Sequence, residues 1–424
     1  MSLSESTYHL LGRYENHVLP KLTRRVLLVS PSGDTHLWGL LLPKIILENN
    51  GVHVTWMPRC SAQTLRAMTE SHHPEFVIIT GLLDTVLPDV KDMIQLLSEL
   101  KTPLILGGVA FSTRWIQRQI LTWYQGPLWS ARKAGDALDI IKGNVQPMTF
   151  GHPDKSLIHT EDTPSLLPTF YSGKANPMSK PQIDTEFDLE EVWSWIPNRT
   201  LFTLHLGLRK NADQAILAGD LEAVMMNQKV SQVKSLIIQN RLFSPKVMWQ
   251  WMKGFVGTDQ NAVQIQNENE LISVSFPRKN GLCLADYVAQ NSIGGIGALV
   301  TTAGPCHELV LNWVMQRRYQ DAMILNALWV QSAEALAERT HFMMRHQLQE
   351  TLERPSTQEI QQALYLGKRY SFGYSACPDL SGQQIFGRLF SLSDIGVSLT
   401  HTHMLDPESA VTAFVFEHPD AKYF

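Results

Sequence analysis

Cysteine is scarce in this chain of 424 residues and never clusters. Cys60, Cys283, Cys306 and Cys377 each stand alone, so no C-x-x-C pair or Cys/His group offers a zinc site. Isolated thiols of this kind fit a reducing compartment, and the cytoplasm is the expected location. Long apolar runs are missing as well. No stretch approaches the roughly 18–20 residues that a membrane span needs, so no membrane partner is expected. Met1–His17 is polar and mixed in charge, without the apolar core of a signal peptide. Basic runs are also absent. Lys and Arg total 36 against 40 Asp and Glu, which argues against a nucleic-acid partner. No internal repeat is visible. What remains is an ordinary composition, 44% apolar and 18% charged, with length enough for two or three domains.

Between residues 25 and 145, short apolar runs alternate with amphipathic stretches. Arg25–Ser30, His53–Met57, Phe76–Thr80, Pro103–Gly107 and Pro127–Trp129 read as strands. Trp38–Asn49, Ala62–Glu70, Pro88–Leu100, Thr113–Tyr124 and Asp136–Lys142 read as helices. The alternation predicts an α/β fold with a doubly wound, parallel, five-stranded sheet. Right-handed crossovers leave few other topologies. Ahead of it, Tyr8, Leu11, Tyr14 and Val18 share one face of a short helix within residues 1–24. Periodicity is lost over 147–187, where recurring prolines read as a linker. Beyond it, helical runs at Ala215–Gln239 and Glu308–His346 surround strand-like Glu270–Phe276, Gly297–Thr302 and Val411–Phe416. Residues 188–424 are therefore expected to form one α+β domain.

Three segments of the first half carry chemistry. Asp34-Thr35-His36-Leu37-Trp38-Gly39 lies between a strand and a helix. Such an Asp-x-His-x-x-Gly pattern can give a metal centre one axial imidazole, a carboxylate that orients it and a glycine for close backbone approach. Thr80-Gly81-Leu82-Leu83 and Gly107-Gly108 each follow a predicted strand, where ligands bind in open α/β sheets. Together these segments resemble the cobalamin-binding domain of cobalamin-dependent methionine synthase. The resemblance implies a cobalamin-binding domain over 25–146, with His36 as the lower ligand to cobalt and Asp34 accepting from its other ring nitrogen. It also implies that Gly39, Thr80, Leu82, Gly107 and Gly108 border the corrin and its nucleotide tail. The family extends a relay from the aspartate to a serine; here Val86 stands at that place, with Thr85 beside it. A four-helix cap precedes this domain in the family, and the N-terminal segment is expected to be too short to hold it.

The second half resembles the family's activation domain, which binds S-adenosylmethionine. The resemblance is carried by Phe276-Pro277-Arg278, Gly281 to Tyr287, Ser332 to Glu338, Arg369 to Pro378 and His418 to Tyr423. It implies that Arg369 holds the ligand carboxylate through its planar fork, that Gly373, Tyr374 and Ala376 approach the ligand, and that Tyr423 closes the site. Pro197 stands where the family carries an aspartate that helps hold the ligand. Other features read as ordinary structure. Trp249 and Trp251 are expected to pack a core near a helix end, and Glu338, Arg339, His341 and Arg345 to form a solvated helix face.

The function implied by the resemblance is a corrinoid methyl carrier, working through methylcobalamin, with a reductive-reactivation module that uses S-adenosylmethionine. Methyl donor and acceptor are then expected on separate methyltransferase chains, with a small flavodoxin- or ferredoxin-like protein as reductant. The zinc on which the family activates homocysteine has no counterpart among the cysteines. The alternative is a protein that stores, delivers or senses cobalamin without methyl transfer, which Pro197 and Val86 favour.

Overall fold

The structure is a computed structural model that describes residues 6–20, 24–149, 176–267, 270–288 and 294–424. The chain divides into two compact units, the first centred on residues 9–158 and the second on residues 159–399 and 405–424.

The first unit is built on five strands, β1 (Arg24–Pro31), β2 (Val52–Cys60), β3 (Phe76–Thr80), β4 (Leu104–Gly107) and β5 (Leu128–Ala131). They pair in the order β2-β1-β3-β4-β5, all parallel. Parallel sheets are covered on both faces, so their strands read as unbroken apolar runs. Val26–Val29 of β1 is accordingly buried throughout. Alternate residues serve opposite faces. Val26, Leu28, Ile78 and Ile105 join one core cluster with Leu40 and Leu47 of α2 (Trp38–Glu48) and with Leu138 and Ile141. Leu10 of the N-terminal helix α1 (Thr7–Glu15) packs into the same cluster.

The remaining helices of this unit are α3 (Ala62–His72), α4 (Leu87–Ser98), α5 (Thr113–Gln119) and α6 (Asp136–Ile141). Ser61 and Ser112 cap α3 and α5 by accepting from Thr64 N and Trp115 N. The α5 helix stops five residues before its expected end at Tyr124, because Ile120 leaves helical geometry and the Tyr124 hydroxyl donates to the Thr102 carbonyl.

The second unit holds a seven-stranded sheet of antiparallel pairs. Its strands are β6 (Gln182–Asp184), β7 (Lys246–Val256), β8 (Ala262–Asn267), β9 (Glu270–Ser275), β10 (Gly294–Thr302), β11 (Lys368–Tyr370) and, after the small ribbon of β12 (Ser398–Leu399) and β13 (Leu405–Asp406), β14 (Ala410–Phe416). The main path runs β11-β14-β10-β7-β8-β9, with β6 also paired to β7. Of the segment expected as a linker, residues 150–175 lie outside the described residues, and Met178 N donates to Trp251 O at 2.7 Å.

Helices α7 (Leu189–Trp193), α8 (Ala212–Leu217), α9 (Leu221–Gln239), α10 (His307–Met315), α11 (Tyr319–Leu348), α12 (Thr357–Gln362) and α13 (Gln384–Leu389) complete this unit. Two expected single helices are each split. Gly219, at φ +71°, ends α8, and Asp220 caps α9 by accepting from Ala223 N. Arg317, at φ +61°, separates α10 from α11. The tryptophans expected near a helix end instead lie on β7, where both are buried. The long α11 is pinned to the sheet by Thr301, whose hydroxyl donates to Ala333 O at 2.8 Å. No helix among the described residues is long and apolar enough to cross a membrane.

Candidate functional sites

Strand order in the first unit reverses between β1 and β3, and ligands of open α/β sheets bind outside the carboxyl ends of strands at such a point. The loop after β1 carries Asp34 and His36, and Thr80 ends β3 with Gly81–Leu83 in the loop that follows. Asp34 is 4% exposed and its Oδ1 accepts twice from the same residue, from His36 N at 2.9 Å and from His36 Nδ1 at 2.8 Å. The carboxylate thus fixes both the backbone and the ring of His36. With its proton on Nδ1, the half-buried ring presents Nε2 as the electron-pair donor.

The glycines of this site divide into two kinds. A Cβ built on Gly39 meets nothing within 4 Å, so the fold itself does not require glycine there. Space of that kind at a helix start is what a large ligand approaching the backbone needs. Gly108 has a structural cause. Its φ is +112° and a Cβ would lie 2.1 Å from the Gly81 carbonyl oxygen. Gly107 would place a Cβ in ordinary contact, 3.8 Å from Ala131 O. Thr80 is buried and donates to Val29 O at 3.4 Å, while Leu82 is exposed. Val109, 73% exposed beside the glycine pair, is a further apolar surface residue at these strand ends. Val86 is fully buried and has no hydrogen-bonding side chain, and the neighbouring Thr85 hydroxyl is buried without a hydrogen-bond partner. No relay from Asp34 can pass through a side chain at position 86.

In the second unit a cavity of about 700 Å³ is lined by Arg369, Glu334, Glu338, Tyr365, Tyr374, Tyr423 and Pro197, among others. Arg369 comes from β11, where it pairs with Val415 of β14. Its Nη2 donates to Glu334 Oε2 at 3.1 Å, and its Nε lies 3.5 Å from Glu338 Oε2. Burial alone would weaken the guanidinium charge, but Glu334 and Glu338 outweigh it and hold the Arg369 pKa above its ordinary value. Tyr365 OH donates to the same Glu338 oxygen at 3.2 Å. The Tyr374 phenol is pushed up first by the Glu334 charge and then by burial.

The turn after β11 presents Tyr374. Gly373 N donates to Cys377 O at 2.9 Å and Cys377 N to Tyr374 O at 3.0 Å, with Gly373 at φ +92°. Ala376 lies in the apolar core cluster rather than on the cavity wall. The C-terminal segment beyond β14 is tied down by Tyr370 OH, which donates to Lys422 O at 2.8 Å, and the Tyr370 and Tyr423 rings pack at 5.4 Å. The structure therefore brings Arg369, Tyr374 and Tyr423 to one cavity, with Gly373 and Ala376 shaping the turn behind them.

Residues 255–424 match the family described as vitamin B12 dependent methionine synthase, activation domain. Methionine synthase of Mycobacterium tuberculosis (strain ATCC 25618 / H37Rv) is 24% identical over 462 residues, covering 94% of this chain and 39% of that protein. Methionine synthase of Mycobacterium leprae (strain TN) is 22% identical, covering 94% of this chain and 38% of that protein. The chain resembles the C-terminal half of cobalamin-dependent methionine synthase. It spans about two-fifths of the length of these curated relatives. The solved MetH reactivation domain bound to AdoHcy shares the fold, with a TM-score of 0.54 at 22% identity, over 60% of this chain and 83% of that one.

Against this methionine-synthase-like background, the expected solvated face of α11 is corrected. Glu338 is 5% exposed, His341 0% and Arg345 5%; Arg339 alone of the four reaches outward to an acidic partner, Glu191, at 2.8 Å. Positions 334, 338, 341 and 345 follow a helical i, i+4, i+7, i+11 spacing and so share one stripe. That spacing, on a helix otherwise rich in Ala and Leu, was the available signal for Glu334 and Glu338. A π-helix over Arg199–His205 contributes Arg199, Thr200 and Leu204 to the cavity and has no such signal. Among the described residues no three His, Cys, Asp or Glu gather where a metal ion could be held by protein ligands alone. All four cysteines are buried and free, and burial pushes the Cys306 and Cys377 thiols up to about 12.

Proposed function

We propose that this protein is a corrinoid carrier with its own reactivation module. In this reading the first unit would bind cobalamin with His36 Nε2 as a ligand to its cobalt, and the cavity of the second unit would bind S-adenosylmethionine. The Asp34–His36 pair carries the reading, because it supplies an oriented imidazole at a switch point, with Gly39 leaving room beside it. When bound, cobalamin supplies a low-valent cobalt nucleophile that accepts and passes on a methyl group.

The chain's own residues do the rest. Asp34 keeps the proton on Nδ1 and raises the basicity of the opposite nitrogen. Gly39 would let a corrin approach the backbone, and the exposed Leu82 and Val109 would offer it apolar contact. Arg369 meets the carboxylate of S-adenosylmethionine, and Tyr374 and Tyr423 shelter the ligand from water. Methyltransferase partners would provide donor and acceptor sites, and a flavodoxin- or ferredoxin-like protein the electron for repair.

Pro197 favours a second reading, storage or sensing of cobalamin without methyl transfer, because a proline lines the cavity where the family has a carboxylate. Protein loaded with cob(II)alamin tests the first reading through its electron paramagnetic resonance spectrum. The wild type should show hyperfine splitting from one imidazole nitrogen and His36→Ala should lose it. Identical spectra would remove His36 as the ligand. Absence of S-adenosylmethionine binding to cobalamin-loaded protein would leave the second reading.

A further inference from the structure

One wall of the second-unit cavity is a segment that buries nothing of its own. Between the end of α11 and the start of β11, no residue of 349–366 is buried, yet Ile360, Gln361, Gln362 and Ala363 line the cavity. Its helix α12 is held together locally. Ser356 Oγ accepts from Glu359 N at 3.3 Å, and Glu359 Oε2 accepts from Ser356 N at 2.8 Å. Such a capping box supports a helix without tertiary packing. Ala363, at φ +50°, ends the helix. Both roots of the segment border a second cavity of about 220 Å³, Leu352 on one side and Leu366 on the other, with Leu348 and Pro419. A self-capped helix with few buried contacts and unfilled space at its roots belongs to the low end of local stability.

The segment is fastened at both ends. At the C-terminal end Tyr365 OH donates to Glu338 Oε2 at 3.2 Å, and the Tyr365 ring lies 4.2 Å from the Arg345 guanidinium. At the other end the exposed Arg354 stacks on Trp195, with its guanidinium carbon 4.1 Å from the ring centre, and its Nη2 donates to Ser194 Oγ at 2.8 Å. Trp195 is itself fixed and lines the cavity. It is buried, its Nε1 donates to Glu191 Oε1 at 2.9 Å, and its ring packs on Phe342 at 5.6 Å. A rigid ring of the cavity wall thus offers its face to one cation of the loosely packed segment.

We propose that residues 350–364 are a lid on this cavity and that Arg354 is the positioning residue that latches it, acting through Trp195. That the lid gates S-adenosylmethionine rests on the cavity being the site of that ligand; the latch does not. With the Arg354–Trp195 contact made, α12 keeps Ile360 and Ala363 on the cavity wall. With it broken, the segment between Gln349 and Tyr365 lifts and the cavity opens. A contact made equally by the ligand-free and ligand-bound lid changes entry and exit rates together and leaves affinity nearly unchanged.

Hydrogen exchange of the full chain, read by mass spectrometry on peptides covering 356–364, tests this. In the ligand-free wild type these amides should exchange through local opening, faster than those of α11. An exposed cation–π contact with its hydrogen bond is worth about a factor of three to ten, so Arg354→Ala should speed exchange of the segment by about that factor. Exchange of α11 and β11 and the thermal midpoint should stay as in the wild type. Arg354→Lys keeps a charge over the ring and should restore part of the slowing. Saturating S-adenosylmethionine should slow exchange of the same peptides, and Arg354→Ala should bind it with both rates raised and affinity within about twofold. Exchange of 356–364 unchanged in Arg354→Ala, or raised alike throughout the second unit, would overturn the latch. S-adenosylmethionine that binds by calorimetry without slowing 356–364 would overturn the lid and leave the site reading intact. No binding by the wild type would remove the site reading, and the ligand-free comparison alone then decides the latch.

Discussion

Asp34 Oδ1 accepts from both the backbone nitrogen and the ring Nδ1 of His36, at 2.9 and 2.8 Å. One buried oxygen thereby sets the position, rotation and tautomer of the imidazole before any metal arrives. Partners of this kind are worth about 10–100-fold in metal affinity. Asp34→Asn can present an amide N–H to Nδ1 and so favour the opposite tautomer. Cobalamin affinity should fall by about that factor, measured by spectrophotometric titration of the base-off band, with little change in thermal midpoint.

Gly39 and Gly108 should separate binding from folding. Nothing lies within 4 Å of a Cβ at Gly39, so Gly39→Val should leave the stability of the cobalamin-free protein within about 1 kcal/mol. The added side chain fills the space proposed for the corrin, and cobalamin binding should weaken strongly. Gly108→Ala should do the reverse. With φ at +112° and the Gly81 oxygen at 2.1 Å, it should cost about 2 kcal/mol or more by urea denaturation whether or not cobalamin is present.

Legibility differs between the two units for a physical reason. Strands β1, β3 and β4 are buried on both faces and stand out as apolar runs between loops, so all five strands of the first sheet are visible in the sequence. The β7 strand is not. Its Gln250 and Lys253 interrupt the tryptophans and methionines, so neither a period of two nor an unbroken apolar run emerges. The Asp-x-His-x-x-Gly pattern after a strand singles out His36 and the family resemblance singles out Arg369, whereas Glu338, being charged, reads as solvent-facing. Only the packing of β11 and Tyr365 against α11 turns that helix face inward. The wide turn of the π-helix after Pro197 leaves no compositional trace.

Arg369→Ala removes the group that both glutamates hold. Loss of a charge-assisted bidentate contact to a ligand carboxylate should cost about 1.5–3 kcal/mol in S-adenosylmethionine affinity. Glu334 and Glu338 would also face one another without their shared cation, so the loss should exceed that of Arg369→Lys. Titration calorimetry on the two variants gives the order, and equal affinities would show that charge alone does not serve the ligand and that the planar fork is required.

His341 should make the second unit acid-sensitive. Its ring is fully buried, neither nitrogen has a hydrogen-bond partner, and it packs edge-on to Tyr365 at 5.5 Å. Burial first, then the charges of Arg345, Arg369 and Lys368, hold its pKa well below the ordinary 6.5. The folded protein therefore keeps His341 neutral at pH values where the unfolded chain takes up a proton. Below about pH 6.5 the unfolded state binds more protons, so stability falls as pH drops, by at most about 1.4 kcal/mol per unit for one group. Above that pH the contribution is constant. Because its nitrogens make no hydrogen bonds, His341→Leu should be nearly neutral at pH 7.5 and should flatten the decline between pH 6.5 and 5. Burial also lowers the His205 pKa, so a residual slope should persist in the variant. Urea titrations followed by tryptophan fluorescence measure both slopes. Parallel declines in wild type and variant would show that His341 is protonated in the folded state as readily as in the unfolded one.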